Sequence, residues 1–487
     1  MGWRSAVLAG LACCGCAISA PPPSLPNNPF VTQHRIELAD RRLAYSAEAG
    51  LMPIDGPEAH RLGDMSYFSY AMKGGPGRPI AFIWNGGPGS SSSALHFGAF
   101  GPRRLQDGRL IANPNTLLDI ADLVFIDQME AGYGRITTGV ERSTVLNPDS
   151  DAETYAVFIE TFLEDHRIKD RPIVLIGESY GVQRALKVAE KLKTRGILPG
   201  AMVLISGYQA VGGQLNREEL GALRLPGAIA LASTVKPLEA MPASSPQDVF
   251  DHVQAWLTPY LDRYAHHETD AELSKQFADG LSKLGGARLI SFVKGAVANQ
   301  DDYIGNTFIM MAHDGMRALD PALRSASLYD ARLRSDGSEW ISRDIVQDIR
   351  ASLGFSIDRV YRGQEFETCI SGCERLAPEI PPDGLAKSID NQAGRFRTRA
   401  PVTPPPLPLL MAASPDMRVF VIGGIFDDLF PCAIGHEMAR RDLKDFAARV
   451  DSKCYAGGHM MYFEPPVAKA LSTDVKAFIA KASRPSR

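Results

Sequence analysis

The sequence predicts an α/β fold: a mostly parallel central sheet, helices on both faces, and a largely helical insertion. Three observations predict it. First, five short apolar runs each end in glycine or a polar residue: RPIAFIWNGGPG (Arg78 to Gly89), ADLVFIDQ (Ala121 to Gln128), RPIVLIGESYG (Arg171 to Gly181), AMVLISG (Ala201 to Gly207) and MRVFVIGG (Met417 to Gly424). Continuous apolar runs of this length read as strands buried on both faces, the habit of parallel sheets. Second, one run passes through Gly177-Glu178-Ser179-Tyr180-Gly181 directly into a helical pattern. Third, no such run falls between Gly207 and Met417.

Taken in order, the chain opens with a leader. Arg4 precedes an uncharged stretch whose residues 6–20 read AVLAGLACCGCAISA, followed by a proline-rich segment from Pro21 to Pro29. This pattern predicts a signal peptide over 1–20, too short for a membrane span. Ala17 and Ser19 place small residues where a peptidase reads them. Cys13, Cys14 and Cys16 raise a lipoprotein alternative, which Gly10-Leu11-Ala12-Cys13 fits poorly because the leucine is one place late. No other segment is apolar enough to span a bilayer. The chain is expected to be exported, periplasmic or secreted.

Residues 30–207 are read as the first part of the catalytic core, 208–405 as an inserted cap, and 406–487 as the rest of the core. Within the insertion, DVFDHVQAWLTPYLDRYAHH and TDAELSKQFADGLSKL carry helical amphipathic patterns. RAPVTPPPLPLL, near 400, reads as a proline-rich hinge. After Gly181, Val182, Ala185, Leu186 and Ala189 form one apolar helix face.

Composition excludes some function classes. The 487 residues are 45% hydrophobic and 22% charged with a net charge of -4, which gives no electrostatic ground for binding nucleic acid. Without the leader, four cysteines remain: Cys369, Cys373, Cys432 and Cys454. An even count in an exported chain predicts two disulfides. Sequence position favours Cys369–Cys373 and Cys432–Cys454, although four cysteines allow three pairings. Metal binding is the weakest reading, since no histidine pair stands near them at ligand spacing.

Gly177-Glu178-Ser179-Tyr180-Gly181 fits G-x-S-x-G, and between strand and helix this is a nucleophile elbow. Glycines are needed where the turn is sharp, and the serine is then held out at the sheet's top. The N–H of Tyr180, at the helix start, faces a developing oxyanion. A serine needs a base, and the base an orienting carboxylate, in chain order Ser, acid, His for this fold class. His436 and His459 follow the last clear strand. His459, beyond a Gly-Gly turn, is favoured as base, and His436 is read as a surface or helix-cap residue. Asp427, just after MRVFVIGG, is the candidate acid, with Asp428 its neighbour and rival. Asn85-Gly86-Gly87-Pro88-Gly89-Ser90 is a second glycine turn after a strand. It lacks a P-loop lysine, so nucleotide binding is not expected. Its backbone is placed to complete the oxyanion hole. His436-Glu437-Met438-Ala439-Arg440 is not H-E-x-x-H, which removes a zinc-protease reading.

These pieces together resemble the serine carboxypeptidase family (S10-like, α/β-hydrolase fold), in forms similar to its bacterial branch. The resemblance rests on WNGGPGSSS (84–92), GPRR (101–104), FIDQMEAGYG (125–134), GESYG (177–181), FDDLFP (426–431) and GGHMMYFEPP (457–466). It covers the catalytic part and is weak in the insertion. It implies Ser179 as nucleophile, His459 as general base and Asp427 as its partner, the D-x-x-x-P spacing to Pro431 favouring Asp427 over Asp428. It implies the N–H groups of Gly87 and Tyr180 as oxyanion hole. It also implies Asn85, Gly86 and Glu178 as the substrate-binding residues, Asn85 and Glu178 holding the free C-terminal carboxylate of a peptide. No cofactor or metal is implied. Two carboxylates share a hydrogen bond only when one is protonated, so Glu178 would be neutral as it donates. The sequence departs from familiar eukaryotic members at Ala99, where an acid supports the carboxylate site, at Ser90, where they carry cysteine, and at Met129, where they carry proline. An esterase or acyltransferase on the same scaffold is the first alternative, since fold alone does not decide. A non-catalytic binding protein is the second.

Overall fold

The chain enters the fold as an antiparallel meander that the apolar-run pattern does not announce. β1 (Phe30–Glu37) pairs with β2 (Arg42–Asp55), and β2 with β3 (Arg61–Met72). β2 alternates, with Leu43, Tyr45 and Ala47 buried between exposed or half-buried neighbours. A sheet packed on one face only gives this pattern. The structure, a computed structural model, describes residues 29–74, 77–106, 109–207, 217–235, 244–297, 343–363, 406–427 and 430–483, with residues 215, 238 and 241 between them. The expected leader over 1–20, Cys369, Cys373, Asp428 and the first half of the proline-rich stretch lie outside these residues.

The remaining strands are β4 (Ile80–Trp84), β5 (Arg103–Gln106), β6 (Arg109–Ala112), β7 (Asp122–Ile126), β8 (Arg135–Ile136), β9 (Ile173–Glu178), β10 (Ala201–Ile205), β11 (Arg418–Gly424) and β12 (Val450–Tyr455). Among the described residues a ten-stranded sheet runs β1-β2-β3-β7-β4-β9-β10-β11-β12, with β8 beside β3 and β5–β6 as a separate pair. From β7 across to β12 the pairing is parallel. The five apolar runs form β4, β7, β9, β10 and β11. This is an α/β-hydrolase fold with a mostly parallel central sheet. Parallel register sets Trp84 beside Gly177, Ile205 beside Glu178 and Gly424 beside Tyr455. The loops after these strands therefore leave the sheet at one carboxyl edge, where open α/β sheets bind ligands.

The helices are α1 (Arg142–Val145), α2 (Pro148–Asp165), α3 (Tyr180–Thr194), α4 (Arg217–Ala222), α5 (Leu225–Val235), α6 (Pro246–Ala265), α7 (Ala271–Val297), α8 (Arg343–Leu353), α9 (Pro406–Ala413), α10 (Cys432–Asp442) and α11 (Pro465–Ala482). Along β4, Phe82 and Trp84 turn to the face covered by α2, α3 and α9. Ala81 and Ile83 turn to the face covered by α8 and α11. The proline-rich hinge expected near 400 ends in α9, whose Leu407, Leu410 and Met411 are buried. Proline at a helix's first positions loses no intrahelical bond, so Pro406 opens this helix rather than breaking it.

The span 208–405 expected as a cap has two described parts with different fates. Helices α4 to α7 bury Ala222, Ile229, Val253, Phe277 and Leu281 in a cluster of their own, which packs on Ile434 and Met438 of α10. Residues 343–363 instead join the core. Ile345, Ile349 and Leu353 pack in the same cluster as the meander. The Gly132 N–H donates to Arg362 C=O and the Ser91 N–H to Gly363 C=O, both at 2.7 Å, and Arg359 pairs with Asp64 at 2.6 Å. Among the described residues no helix is long and apolar enough to cross a membrane.

Candidate active site

β9 ends at Glu178 and α3 begins at Tyr180, leaving Ser179 alone to make the turn. It does so at φ 58° and ψ -127°, a conformation that costs a non-glycine residue about 1–3 kcal/mol. The surroundings hold it there. The Ser179 N–H donates to Ile205 C=O at 2.9 Å, and the Val182 N–H donates to Ser179 C=O at 3.0 Å. The flanking glycines are required by close approach. A Cβ on Gly177 would stand 2.2 Å from Gly181 O. One on Gly86 would stand 2.5 Å from Tyr180 N, so the loop after β4 lies directly against the start of α3. Gly87 takes φ +97° in that loop, open to glycine alone among ordinary residues. The expected oxyanion residues Gly87 and Tyr180 thus come from two backbones in contact through Gly86.

Asp427 and His459 arrive from the loops after β11 and β12. His459 Nδ1 lies 2.8 Å from Asp427 Oδ2, and both residues are buried. The Phe430 N–H donates to Asp427 Oδ1 at 2.9 Å, fixing which oxygen is left for the imidazole. Phe430 also stacks on the His459 ring, 5.6 Å between centroids. The backbone of His459 is tied down by a residue that the sequence did not single out: Ser206 Oγ donates to His459 C=O at 2.6 Å. Its neighbour Ile205 receives the Ser179 N–H, so consecutive residues at the end of β10 hold both the elbow and the histidine loop. His436 lies inside α10, half-buried, with Nδ1 3.0 Å from Ser452 Oγ. It is a helix-interior residue rather than the surface or cap residue expected.

Asn85, the first residue after β4, is buried and its Nδ2 donates to Glu178 Oε2 at 2.8 Å. Its Oδ1 accepts the Leu95 N–H at 3.0 Å, which fixes the amide's orientation. Tyr462 adds a hydroxyl 3.4 Å from Asn85 Nδ2 and was likewise unread in the sequence. Ala99, standing where an acid was missed, is buried and its C=O accepts from Asn113 Nδ2. Glu178 Oε1 lies 3.5 Å from His459 Nε2. The imidazole therefore has a carboxylate on each side.

The charges follow from this. Burial pushes the Glu178 carboxyl up, against the weaker pull of His459 and the Asn85 amide. Burial pushes His459 down, but the carboxylate and hydrogen bond of Asp427, with Glu178 beyond, outweigh it and leave the imidazole pushed up to about 9. Glu178 and His459 titrate as a pair.

A disulfide joins Cys432, at the start of α10, to Cys454 in β12, with the Cα atoms 5.7 Å apart. It links the stretch just after Asp427 to the stretch just before His459. The bridge closes a loop with a sequence separation of 22. Replacing both cysteines with alanine is expected to destabilise the fold by about 3 kcal/mol. Urea unfolding of the double variant beside the oxidised wild type checks this, and coincident midpoints would count against it.

Comparison with known proteins adds to this geometry. Residues 40–193 match the model of the serine carboxypeptidase family. No curated protein sequence matches the chain. Among solved structures, a similar one is Kex1Δp, a prohormone-processing carboxypeptidase from Saccharomyces cerevisiae. The likeness covers 90% of this chain and 91% of that one, with a TM-score of 0.50 and 14% identity, and at that identity it speaks for fold. A thermophilic esterase from Thermogutta terrifontis matches at 11% identity and TM-score 0.35, over 90% of this chain and 99% of that one. A hyperthermophilic esterase from Pyrobaculum calidifontis matches at 12% identity and TM-score 0.35, over 90% and 84%. Residues 40–193 are thus similar to the serine carboxypeptidase family, within a chain of α/β-hydrolase fold.

Proposed function

We propose that this protein is an exported serine carboxypeptidase that releases C-terminal amino acids from peptides through an acyl-enzyme on Ser179. The observation that carries the reading is the placement of Glu178. It is buried, bonded to the Asn85 amide at 2.8 Å, and 3.5 Å from His459 Nε2, the ring nitrogen opposite the one that meets Asp427. A carboxyl so placed serves a substrate's terminal carboxylate and the base at once. In the proposed cycle Ser179 Oγ attacks the scissile carbonyl while His459 takes its proton. The Gly87 and Tyr180 N–H groups receive the oxyanion. The imidazolium protonates the departing amine, and the C–N bond breaks. Water, deprotonated by His459, then hydrolyses the ester and restores Ser179. Asn85, Gly86 and Glu178 form the carboxylate site. The leader and the Cys432–Cys454 bridge support export to an oxidising compartment.

An N-blocked dipeptide tests this beside the same dipeptide amidated at its C-terminus. Ser179-dependent release from the free acid but not the amide is the expected result. Turnover of a simple ester with neither dipeptide cleaved would sink the carboxypeptidase reading and leave an esterase.

The pH dependence has a definite sign. His459 works as a base only when neutral, so kcat/KM rises with pH through its raised value. Glu178 donates to a carboxylate only when protonated, so binding of a free acid falls as it ionises. Glu178→Gln is always neutral and removes one of the two charges that hold the imidazolium. The rising limb should therefore move to lower pH, and the falling limb for the free acid should disappear. Profiles of the same shape and position in wild type and variant would refute this assignment.

A further inference from the structure

We infer that Arg184 is a positioning residue that clamps the loop from Asn85 to Gly89 against the nucleophile helix, fixing the spacing of the oxyanion donors; the inference rests on the catalytic reading above. Arg184 lies one turn past Tyr180 on α3, and its side chain is fully buried. A buried guanidinium is costly unless its donors are used. Its Nε donates to Asp151 Oδ2 at 2.8 Å. Its Nη1 donates to the Asn85 C=O at 2.8 Å, and its Nη2 to Gln128 Oε1 at 2.6 Å. The same Gln128 oxygen accepts the Gly89 N–H at 2.9 Å. One planar fork therefore holds both ends of the loop, the first directly and the last through Gln128. Gly87 lies between those ends, and Tyr180 opens the helix that carries the fork. A single rigid helix thus supplies one proposed oxyanion donor and sets the other.

Stability does not account for this arrangement. An ion pair as buried as Asp151–Arg184 is replaceable by apolar groups at little cost. This network also leaves Asp151 Oδ1 and Gln128 Nε2 buried with no hydrogen-bond partner among the described residues. What it secures is orientation. The Tyr155 and Tyr180 rings, 4.6 and 5.0 Å from the guanidinium carbon, confine the fork further.

The test uses the full chain and p-nitrophenyl acetate, which requires the nucleophile and oxyanion hole but no terminal carboxylate. The variants are Arg184→Met with Asp151→Leu, Arg184→Lys, and Gln128→Leu. The paired apolar variant is expected to fold with an unchanged circular dichroism spectrum. Its kcat should fall about 100-fold, the scale of one lost oxyanion donor, with KM within about threefold. Arg184→Lys restores the charge but cannot reach both loop ends, so its kcat should stay at least about tenfold low. Gln128→Leu keeps the ion pair and cuts only the relay to Gly89, with an expected loss of about tenfold; it decides the matter should the paired variant not fold. A folded paired variant, or Gln128→Leu, with kcat within about threefold of wild type overturns the inference while Ser179-dependent turnover stands. Absence of Ser179-dependent ester turnover in the wild type overturns it together with the catalytic reading.

Discussion

Ser179→Ala is expected to lower kcat for C-terminal residue release by about a million-fold, with the fold intact. The loss is this large because the proposed acyl-enzyme forms on the Ser179 hydroxyl and cannot form without it. Residual rate would come from substrate binding and the proposed oxyanion donors acting on a water attack. The fold should survive because each contact holding residue 179 is made by backbone. Its N–H goes to Ile205 and its C=O receives Val182. Alanine meets the same φ of 58° with the same Cβ. Two measurements check the prediction: single-turnover release from the blocked dipeptide, and labelling by a serine-reactive phosphonate. Release by the variant within about a hundredfold of wild type would move the chemistry to another residue.

Asp427→Asn should cost about 10⁴-fold in kcat near neutral pH. Asparagine is nearly the same shape, so the loss is one of proton placement. The Phe430 N–H demands an acceptor at the Oδ1 position. The asparagine carbonyl must stay there, which turns its NH₂ toward His459 Nδ1. The imidazole then accepts at Nδ1 and carries its hydrogen on Nε2, and that nitrogen can no longer take a proton from Ser179. Loss of the Asp427 charge also removes the main influence that raises His459. The variant's imidazole should therefore titrate lower, visible by NMR of the ring protons. An unshifted imidazole with normal activity would remove Asp427 from the mechanism.

The parallel half of the sheet was legible because burial on both faces leaves unbroken apolar runs, as in IVLIGE of β9. The meander was not. β2 carries Arg42, Glu48 and Pro53 among its apolar residues, the mixture expected of a strand with one wet face. At the candidate site, Ser179 and His459 were read from glycine-bounded turns after strands and the acid as Asp427 or its neighbour Asp428, while the choice of Asp427, with Asn85 and Glu178, came from the family likeness. Arg184 was not, since an arginine in a helix reads as exposed. Its only signal is its place one turn after Tyr180 on a stripe that continues to Val188. Ser206 had none, because a serine ending a strand is ordinary and its bond to His459 C=O spans 253 residues. Within the insertion, amphipathic pattern identified helices but could not say against which surface each would lie.

That surface matters for how this scaffold can diverge. Because residues 343–363 are stitched to Asp64, Ser91 and Gly132, the long interruption of the core behaves as two separate excursions, each with both ends fixed. The entropy of closing a loop grows only logarithmically with its length. Either length of chain can therefore grow or shrink at small cost in closure entropy. The stitched segment acts as a firebreak: it anchors the interruption partway along, while Ser179, Asp427 and His459 stand where β9, β11 and β12 deliver them.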